Sequence, residues 1–235
     1  MKIINDIFFL YKYTSIDRLF EMLENSQLTF LPKDKYWRKD RFEGYLFKNL
    51  YTFHKTYHND SWSEFSYLKN VCYMCLSSDT ETDQIWKTYT PEKTGVCLKL
   101  SVRKLDEKLG RMFYLSKIRY KKIEDIKKII AVYKKKVNPT EEELIELYLY
   151  KMRGFKTDNE YRLLKIEREK ESQELVRVPF DYNETIQKIL FHPRCETVFF
   201  NVMKDVLNSR YKIPEERIKP STLHNPIKRF GKEFT

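Results

Sequence analysis

Short apolar runs bounded by turn-forming residues most strongly restrict the folds open to this chain. The runs are rich in aromatic and branched aliphatic residues, and each has the length and composition of a strand. The pattern therefore predicts a sheet built from many short strands. Predicted strands occupy residues 8–13, 28–31, 71–77, 95–100, 111–120, 160–164, 175–180, 186–191 and 217–222.

Helical spacing of apolar residues interrupts this strand pattern. A helical hairpin is predicted at about residues 118–154, where Thr140 and Glu143 form a capping box and Gly154 ends the second helix. Mainly antiparallel strands with helical interruptions predict an α+β fold. We treat residues 1–235 as a single domain into which the hairpin is inserted. The other predicted helices occupy residues 16–23, 45–70, 84–89 and 197–207.

The balance of charge indicates an anionic partner. The chain has 45 Lys and Arg residues against 34 acidic residues, a net charge of +11. Such a balance predicts RNA or DNA binding, although a compositional bias towards Lys, Ile, Asn and Tyr also produces it. The densest basic cluster lies on the predicted hairpin and is either a solvated face or a phosphate-contacting surface. Its members are Lys127, Lys128, Lys134, Lys135 and Lys136.

The N-terminal residues lack the features of a signal peptide. Their apolar run is short, Asp6 lies beside it, and no small-residue cleavage site follows. No stretch approaches the roughly 18 apolar residues that a membrane span needs. We therefore expect a cytoplasmic protein without a membrane partner.

A zinc site is one chemistry that the residue types suggest. His54 and His58 are spaced to share one helix face, and Cys72 and Cys75 form a CxxC motif. The two cysteines lie within an apolar predicted strand, however, where residues three apart point to opposite faces. Because buried cysteines usually behave as small apolar residues, we predict no metal site.

Hydrolytic chemistry has no recognisable motif. The sequence contains no GxSxG, no Cys-His signature and no glycine-rich phosphate loop, and it has only five glycines. Asp79, Glu81 and Asp83 lie close together and could hold a metal in a nuclease. The alternative is that they cap the helix that follows them.

A polar pair stands at the start of the strand predicted over residues 160–164. The turn-forming residues Asp158 and Asn159 precede it. Because side chains alternate along a strand, Glu160 and Arg162 point to the same face. A carboxylate and a guanidinium placed in this way form either a structural ion pair or part of a site.

A resemblance to a known family rests on motifs in a fixed order. The chain resembles a broad bacterial family of proteins of unknown function, whose members typically carry LYKY or LYHYTS, NDPFEG, a WxxY helix, GVCL and an EYR strand. It departs from that pattern at Asp40 and Arg41, where the family usually has Asp-Pro. The motifs are LYKYTS at 10–15, KDRFEG at 39–44, IWKTY at 85–89, GVCLKL at 95–100, NEYRLL at 159–164 and ILFHPR at 189–194.

That family resembles, more distantly, the ADP-ribosyltransferase fold, whose enzymes consume NAD and have a split, mainly antiparallel sheet. The resemblance implies that Glu160 is the late-strand carboxylate that stabilises positive charge on the ribose as nicotinamide leaves. It implies that Tyr89, together with Trp86, packs on the nicotinamide; the alternative is that both rings belong to the core, as helical aromatic residues commonly do. Lys12 or Thr14 takes the first-strand role, which the family gives to His or Arg. The further residues assigned to NAD binding are Ser77, Arg162 and Phe42.

The resemblance implies an NAD-dependent ADP-ribosyltransferase that modifies a macromolecule, and the charge makes nucleic acid the expected acceptor. A small enzyme of this kind would act as a toxin or phage-defence effector, and an antitoxin protein would then be a partner. The alternative is a non-catalytic module of the same fold that binds RNA or DNA. A metal-dependent nuclease is a third hypothesis.

Overall fold

The computed structural model describes residues 7–32, 44–110, 113–168 and 175–224. These residues form a mixed α+β structure whose open sheet is mainly antiparallel, which confirms the predicted α+β class and the predicted antiparallel pairing. In the part of the chain so described, no helix is both long and apolar enough to cross a membrane.

Short strands alternate with helices along much of the chain. The strands are β1 (Phe9–Thr14), β2 (Gln27–Pro32), β3 (Val71–Ser77), β4 (Val96–Ser101), β5 (Phe113–Lys117), β6 (Arg119–Lys121), β7 (Tyr150–Met152), β8 (Glu160–Ile166), β9 (Val176–Pro179), β10 (Ile186–Phe191) and β11 (Ile218–Pro220). The α-helices are α1 (Ile16–Asn25), α2 (Tyr45–Tyr57), α3 (Asp83–Tyr89), α4 (Val102–Leu109), α5 (Ile123–Lys134), α6 (Glu141–Glu146), α7 (Tyr182–Thr185) and α8 (Thr197–Ser209). Short 3-10 helices occupy Ser63–Asn70, Arg153–Asp158 and Glu215–Arg217.

The chain divides into two compact units. The described residues of the first unit fall within Thr29–Cys75 and Gly110–Val178. Those of the second unit fall within Asn5–Leu28, Leu76–Leu109 and Pro179–Thr235. The strand β3 runs from the first unit into the second.

In the first unit, β8 pairs with β3 on one side and with β5 on the other, and β3 also pairs with β2. Between β5 and β8 the chain forms β6, α5, α6 and β7, and β6 pairs with β7 in a separate parallel ribbon. The core joins the α2 residues Phe47 and Leu50 to Trp62, Tyr148 and Leu164, all of which are buried. Packing of these large side chains fixes β8 along the interior of the unit.

In the second unit the strand order is β11-β10-β4-β1, and the last residue of β3, Ser77, pairs with Tyr11 of β1. One sheet face carries buried aliphatic side chains and Phe191, whose ring contacts the ring of Phe200 on α8 at 5.3 Å between centroids. The other face carries Tyr11, Tyr13 and a set of lysines described below. Alternation along each strand separates these two faces.

The segment between β5 and β8 differs in part from the predicted hairpin. The capping box is confirmed, because Thr140 Oγ accepts a hydrogen bond from Glu143 N at 3.3 Å and Glu143 Oε2 accepts one from Thr140 N at 2.8 Å. The second helix ends at Glu146, however, and Met152 belongs to β7. The prediction extended the helix to Gly154 because residues 147–152 continue the helical apolar spacing, which pairing with β6 overrides.

Candidate functional site

Glu160 and Arg162 lie in the first unit and share one face of β8, as the alternation predicted. Arg162 Nε donates a hydrogen bond to Glu160 Oε1 at 2.8 Å, and Lys151 Nζ donates one to Glu160 Oε2 at 2.9 Å. The Glu160 side chain is only 2 % exposed. Both carboxylate oxygens therefore bind a buried cation.

The surrounding groups complete the buried network of Glu160. Lys151 Nζ also donates to Asp158 Oδ2 at 3.0 Å, and Arg162 Nη1 donates to the Tyr148 carbonyl at 2.6 Å. The guanidinium of Arg162 lies over the Tyr73 ring at 4.6 Å. With two cations and two carboxylates, the network carries no formal excess charge, which is the condition for burying ions in a protein.

The network also sets the protonation state of Glu160. Burial of the carboxyl would raise its pKa, but the Arg162 guanidinium and the Lys151 ammonium outweigh burial and lower the pKa of Glu160 to about 2. Glu160 is therefore ionised at neutral pH. Its assignment as a catalytic carboxylate stays a prediction, and the described contacts are those of a structural ion pair.

The residues considered for zinc are engaged in other contacts. His54 Nδ1 is within hydrogen-bond distance of Ser61 Oγ at 3.0 Å, and His54 Nε2 of the Tyr133 carbonyl at 2.8 Å. Its ring stacks on Trp62 with centroids 4.0 Å apart. The described residues contain no group of three or more His, Cys, Asp or Glu side chains arranged to hold a metal ion.

The second unit brings together a row of polar side chains that lie side by side across four strands. Tyr11 of β1 pairs with Ser77 and with Lys99 of β4, and Lys99 pairs with Lys188 of β10. Paired residues in neighbouring strands point to the same sheet face. Lys219 of β11 extends this face, because it pairs with Leu190, two residues after Lys188.

An open pocket of about 530 Å³ within the second unit is lined by four members of this row: Tyr11, Lys99, Lys188 and Lys219. A volume of this size is typical of ligand-binding clefts. The pocket combines the ammonium groups of three lysines with a single carboxylate, that of Glu81. Its lining consists of Tyr11, Thr80, Glu81, Lys99, Lys188, Leu190, Lys219, Pro220 and Thr222.

The lysines of the pocket form no close ion pairs with the described acidic residues, although Glu215 lies near enough to Lys219 for an electrostatic attraction. Among the described residues, no carboxylate forms an ion pair with Lys99, Lys188 or Lys219 within 4.0 Å. Lys99 Nζ instead lies 3.8 Å from the centroid of the Phe9 ring. Like charges opposite each other on adjacent strands destabilise a sheet. The pair Lys99–Lys188 is therefore a local cost that an anionic ligand would offset.

Helix α3 forms an apolar cluster beside the pocket. The Thr82 side chain caps the helix by accepting a hydrogen bond from Ile85 N at 3.1 Å. Trp86 is 1 % exposed, and its ring meets that of Tyr13 edge-on with centroids 4.9 Å apart. Trp86 Nε1 donates a hydrogen bond to Glu81 Oε1 at 3.2 Å, which orients this carboxylate.

The other residues assigned to NAD binding by resemblance are distributed as follows. Lys12 and Thr14 lie on β1 in the second unit, on the sheet face opposite Tyr11 and Tyr13, since they pair with Leu98 and Val96 of β4. Ser77 is buried, and its Oγ accepts a hydrogen bond from Asp79 N at 3.1 Å. Tyr89 is 37 % exposed at the end of α3, whereas Trp86 on the same helix is buried. Phe42 lies outside the described residues.

The lysine pocket was not predicted from the sequence. A single lysine interrupts the apolar run in GVCLKL and another interrupts IQKILF. A charged residue within an otherwise apolar short strand is the signal that could have found them. That Lys99 and Lys188 lie opposite each other depends on strand register, and register between distant segments is not visible in a single sequence.

Comparison with known proteins gives a partial match. The model of a family described as "Protein of unknown function (DUF2971)" matches residues 85–163. The matched segment begins within α3, includes β4 and ends in β8. No curated protein matched the chain, and no solved structure matched it.

Proposed function

We propose that this protein binds nucleic acid and that the lysine pocket of the second unit holds the phosphate groups of the strand. The observation that carries the proposal is the cross-strand placement of Lys99 and Lys188, with Lys219 on the neighbouring strand, around one open pocket. Ammonium groups without carboxylate partners are suited to bind phosphate oxygens.

The charge of the whole chain supports a polyanionic ligand. A net charge of +11 attracts a polyanion over distances longer than a contact, and the pocket then supplies the contacts themselves. Tyr11, which is 8 % exposed, and Leu190 provide an apolar floor against which a sugar or base can pack. The contacts proposed for the ligand are therefore those of the lysine ammonium groups with phosphate and of these two side chains with a sugar or base.

The basic cluster on α5 is the rival surface. Lys127 and Lys128 are exposed there, but Lys136 forms an ion pair with Glu143, and Lys134 lies over the Phe53 ring at 4.7 Å. Part of the cluster is therefore already engaged within the first unit. Solvated lysines on one helix face are common in proteins that bind no nucleic acid. We therefore favour the pocket over α5 as the phosphate-binding surface.

The test is the affinity of single-lysine variants for a labelled single-stranded RNA of about ten nucleotides. Lys99→Ala, Lys188→Ala and Lys219→Ala are each expected to weaken binding about fivefold, the effect of losing about 1 kcal/mol per phosphate contact. Lys108→Ala is the matched control, because Lys108 is an exposed lysine of the same unit on α4 and does not line the pocket. Equal losses in Lys108→Ala and the pocket variants would refute the proposal.

ADP-ribosyl transfer from NAD is a second candidate, supported by the ionised Glu160 beside Arg162 at the start of β8. For this reaction one oxygen of Glu160 would have to leave its cation and accept a hydrogen bond from a ribose hydroxyl. Incubation with labelled NAD and RNA, DNA or lysate tests it. Label transfer that Glu160→Gln abolishes, in a variant that is shown to be folded, would support the enzyme, and absence of transfer would leave nucleic-acid binding alone.

A further inference from the structure

Glu81 is an unexpected residue in a pocket that binds phosphate. Glu81 lines the pocket together with three lysines, and a carboxylate repels the phosphate groups that the lysines attract. Among the described residues, no lysine or arginine lies within 4.0 Å of this carboxylate. Glu81 therefore does not serve as the ion-pair partner of the lysines.

The position of the Glu81 carboxylate is fixed by its contact with Trp86. Trp86 Nε1 donates a hydrogen bond to Oε1 at 3.2 Å, and the Trp86 ring is held between Tyr13 and His192, with centroid distances of 4.9 Å and 5.1 Å. The buried ring cannot move without disturbing this packing. A carboxylate fixed in this way at the wall of a cleft is preorganised to accept a hydrogen bond from a ligand.

We propose that Glu81 accepts a hydrogen bond from a ribose 2′-hydroxyl, so that the pocket selects RNA over DNA. The inference rests on the proposed function, in which the lysines bind the phosphates of the strand. A ribose hydroxyl can donate to a carboxylate, and it lies close to the phosphates along the same strand. DNA has no such donor, and its phosphates would meet the repulsion of Glu81 without this compensation.

A different role for Glu81 predicts a different result. If the carboxylate only reduces the positive charge of the pocket, its removal strengthens binding of RNA and DNA by the same factor. If it accepts a hydrogen bond from the hydroxyl, its removal changes the ratio of the two affinities. The ratio within one variant is therefore the informative quantity, because the general effect of charge cancels in it.

The experiment measures the affinity of the full chain for three oligonucleotides of one sequence: RNA, DNA and 2′-fluoro RNA. The 2′-fluoro sugar keeps an RNA-like pucker but cannot donate a hydrogen bond, so it separates sugar shape from donation. The wild type is expected to bind RNA about tenfold more tightly than 2′-fluoro RNA, the effect of one hydrogen bond to a charged group. Glu81→Ala is expected to bring this ratio close to one.

Two further variants keep the outcomes distinct. Glu81→Gln retains an oxygen that can accept hydrogen bonds from Trp86 and the ligand, and it is expected to keep part of the preference. Lys188→Ala is expected to weaken all three ligands equally. If the wild type binds through the lysines but shows no preference for RNA, the proposed role of Glu81 is wrong and the proposed phosphate site stands. Absence of binding to all three ligands would overturn the proposed function as well.

Discussion

The charge of Glu160 affects the stability of the first unit, because this carboxylate is buried between Arg162 and Lys151. Its pKa of about 2 lies below the ordinary value of 4.5, because Arg162 and Lys151 outweigh the effect of burial. A lowered folded-state pKa means that the ionised carboxylate stabilises the fold fully above about pH 4.5, and that this contribution is lost as the pH falls towards 2.

Glu160→Gln is expected to lower the free energy of unfolding at neutral pH by about 3–5 kcal/mol, because it removes the carboxylate that Arg162 and Lys151 share and leaves the buried network, in which Asp158 still binds Lys151, with an excess positive charge. The difference from the wild type should shrink as the pH falls below about 4.5. Denaturant unfolding at a series of pH values measures both effects. Glu146→Gln is the control, since Glu146 pairs with Arg119 at the surface and should cost about 1 kcal/mol or less. A pH-independent difference would contradict the ionised network.

Lys188 is expected to have opposite effects on folding and on binding. It lies opposite Lys99 on the neighbouring strand, so Lys188→Gln removes a repulsion and should stabilise the free protein by a few tenths of a kcal/mol. The same substitution should weaken RNA binding about fivefold. Thermal unfolding and RNA titration of one preparation test the gain in stability and the loss of affinity together, with Lys108→Gln as the reference variant. A loss of stability would show that the lysine has a structural role.

At the scale of elements, the turn between α3 and β4 fixes the wall of the pocket. Gly95 precedes β4, and a Cβ added there would overlap the side chain of Thr90, which is 3 % exposed and donates a hydrogen bond to the Trp86 carbonyl at 3.1 Å. The contact leaves no space between the end of α3 and the start of β4. Any shift of this turn moves Trp86, and with it the carboxylate of Glu81.

Gly95→Ala is therefore expected to destabilise the protein by about 1–3 kcal/mol through overpacking, and to reduce the preference for RNA in whatever fraction remains folded. Gly154→Ala is the matched control, because a Cβ at that glycine meets no atom within 4 Å. Calorimetry of the two variants provides the comparison. Similar midpoints of thermal unfolding for Gly95→Ala and the wild type would mean that the turn accommodates the added methyl group without loss of stability.

Sequence patterns predicted elements better than the contacts between them. The bounds of β1, α1 and β10 follow from local apolar spacing and turn residues, and they agree with the structure within one or two residues. The helix α4 was missed, because its sequence VRKLDEKL has apolar residues only at Val102, Leu105 and Leu109. The prediction placed no element there, although this 3.6-residue spacing marks one buried face.

At the candidate sites, local information was again sufficient only for neighbours in sequence. The ion pair of Glu160 and Arg162 follows from alternation within one strand. Lys151, which completes the network, lies on β7, whose pairing with β6 brings together segments far apart in the chain. The same is true of Lys99, Lys188 and Lys219, which meet only through the register of three strands.

At the scale of the whole molecule, the net charge of +11 has two possible origins. It can reflect lysines spread over the surface, or it can serve one site at which phosphates bind. Salt distinguishes them, because each phosphate neutralised on a single strand adds about 0.7 to the slope of log affinity against log salt concentration. If three lysines in one pocket each neutralise a phosphate, they contribute about 2 to the magnitude of this slope.

The most direct measurement is therefore the salt dependence of RNA affinity for the wild type and for a variant in which Lys99, Lys188 and Lys219 are all replaced by Gln. The account predicts that the triple variant binds weakly and that its slope falls by about 2, whereas a variant with Gln at Lys127, Lys128 and Lys135 keeps the wild-type slope. The opposite result would contradict the proposed phosphate site: the pocket variant would keep the wild-type slope, and the slope would instead fall in the variant with Gln at Lys127, Lys128 and Lys135.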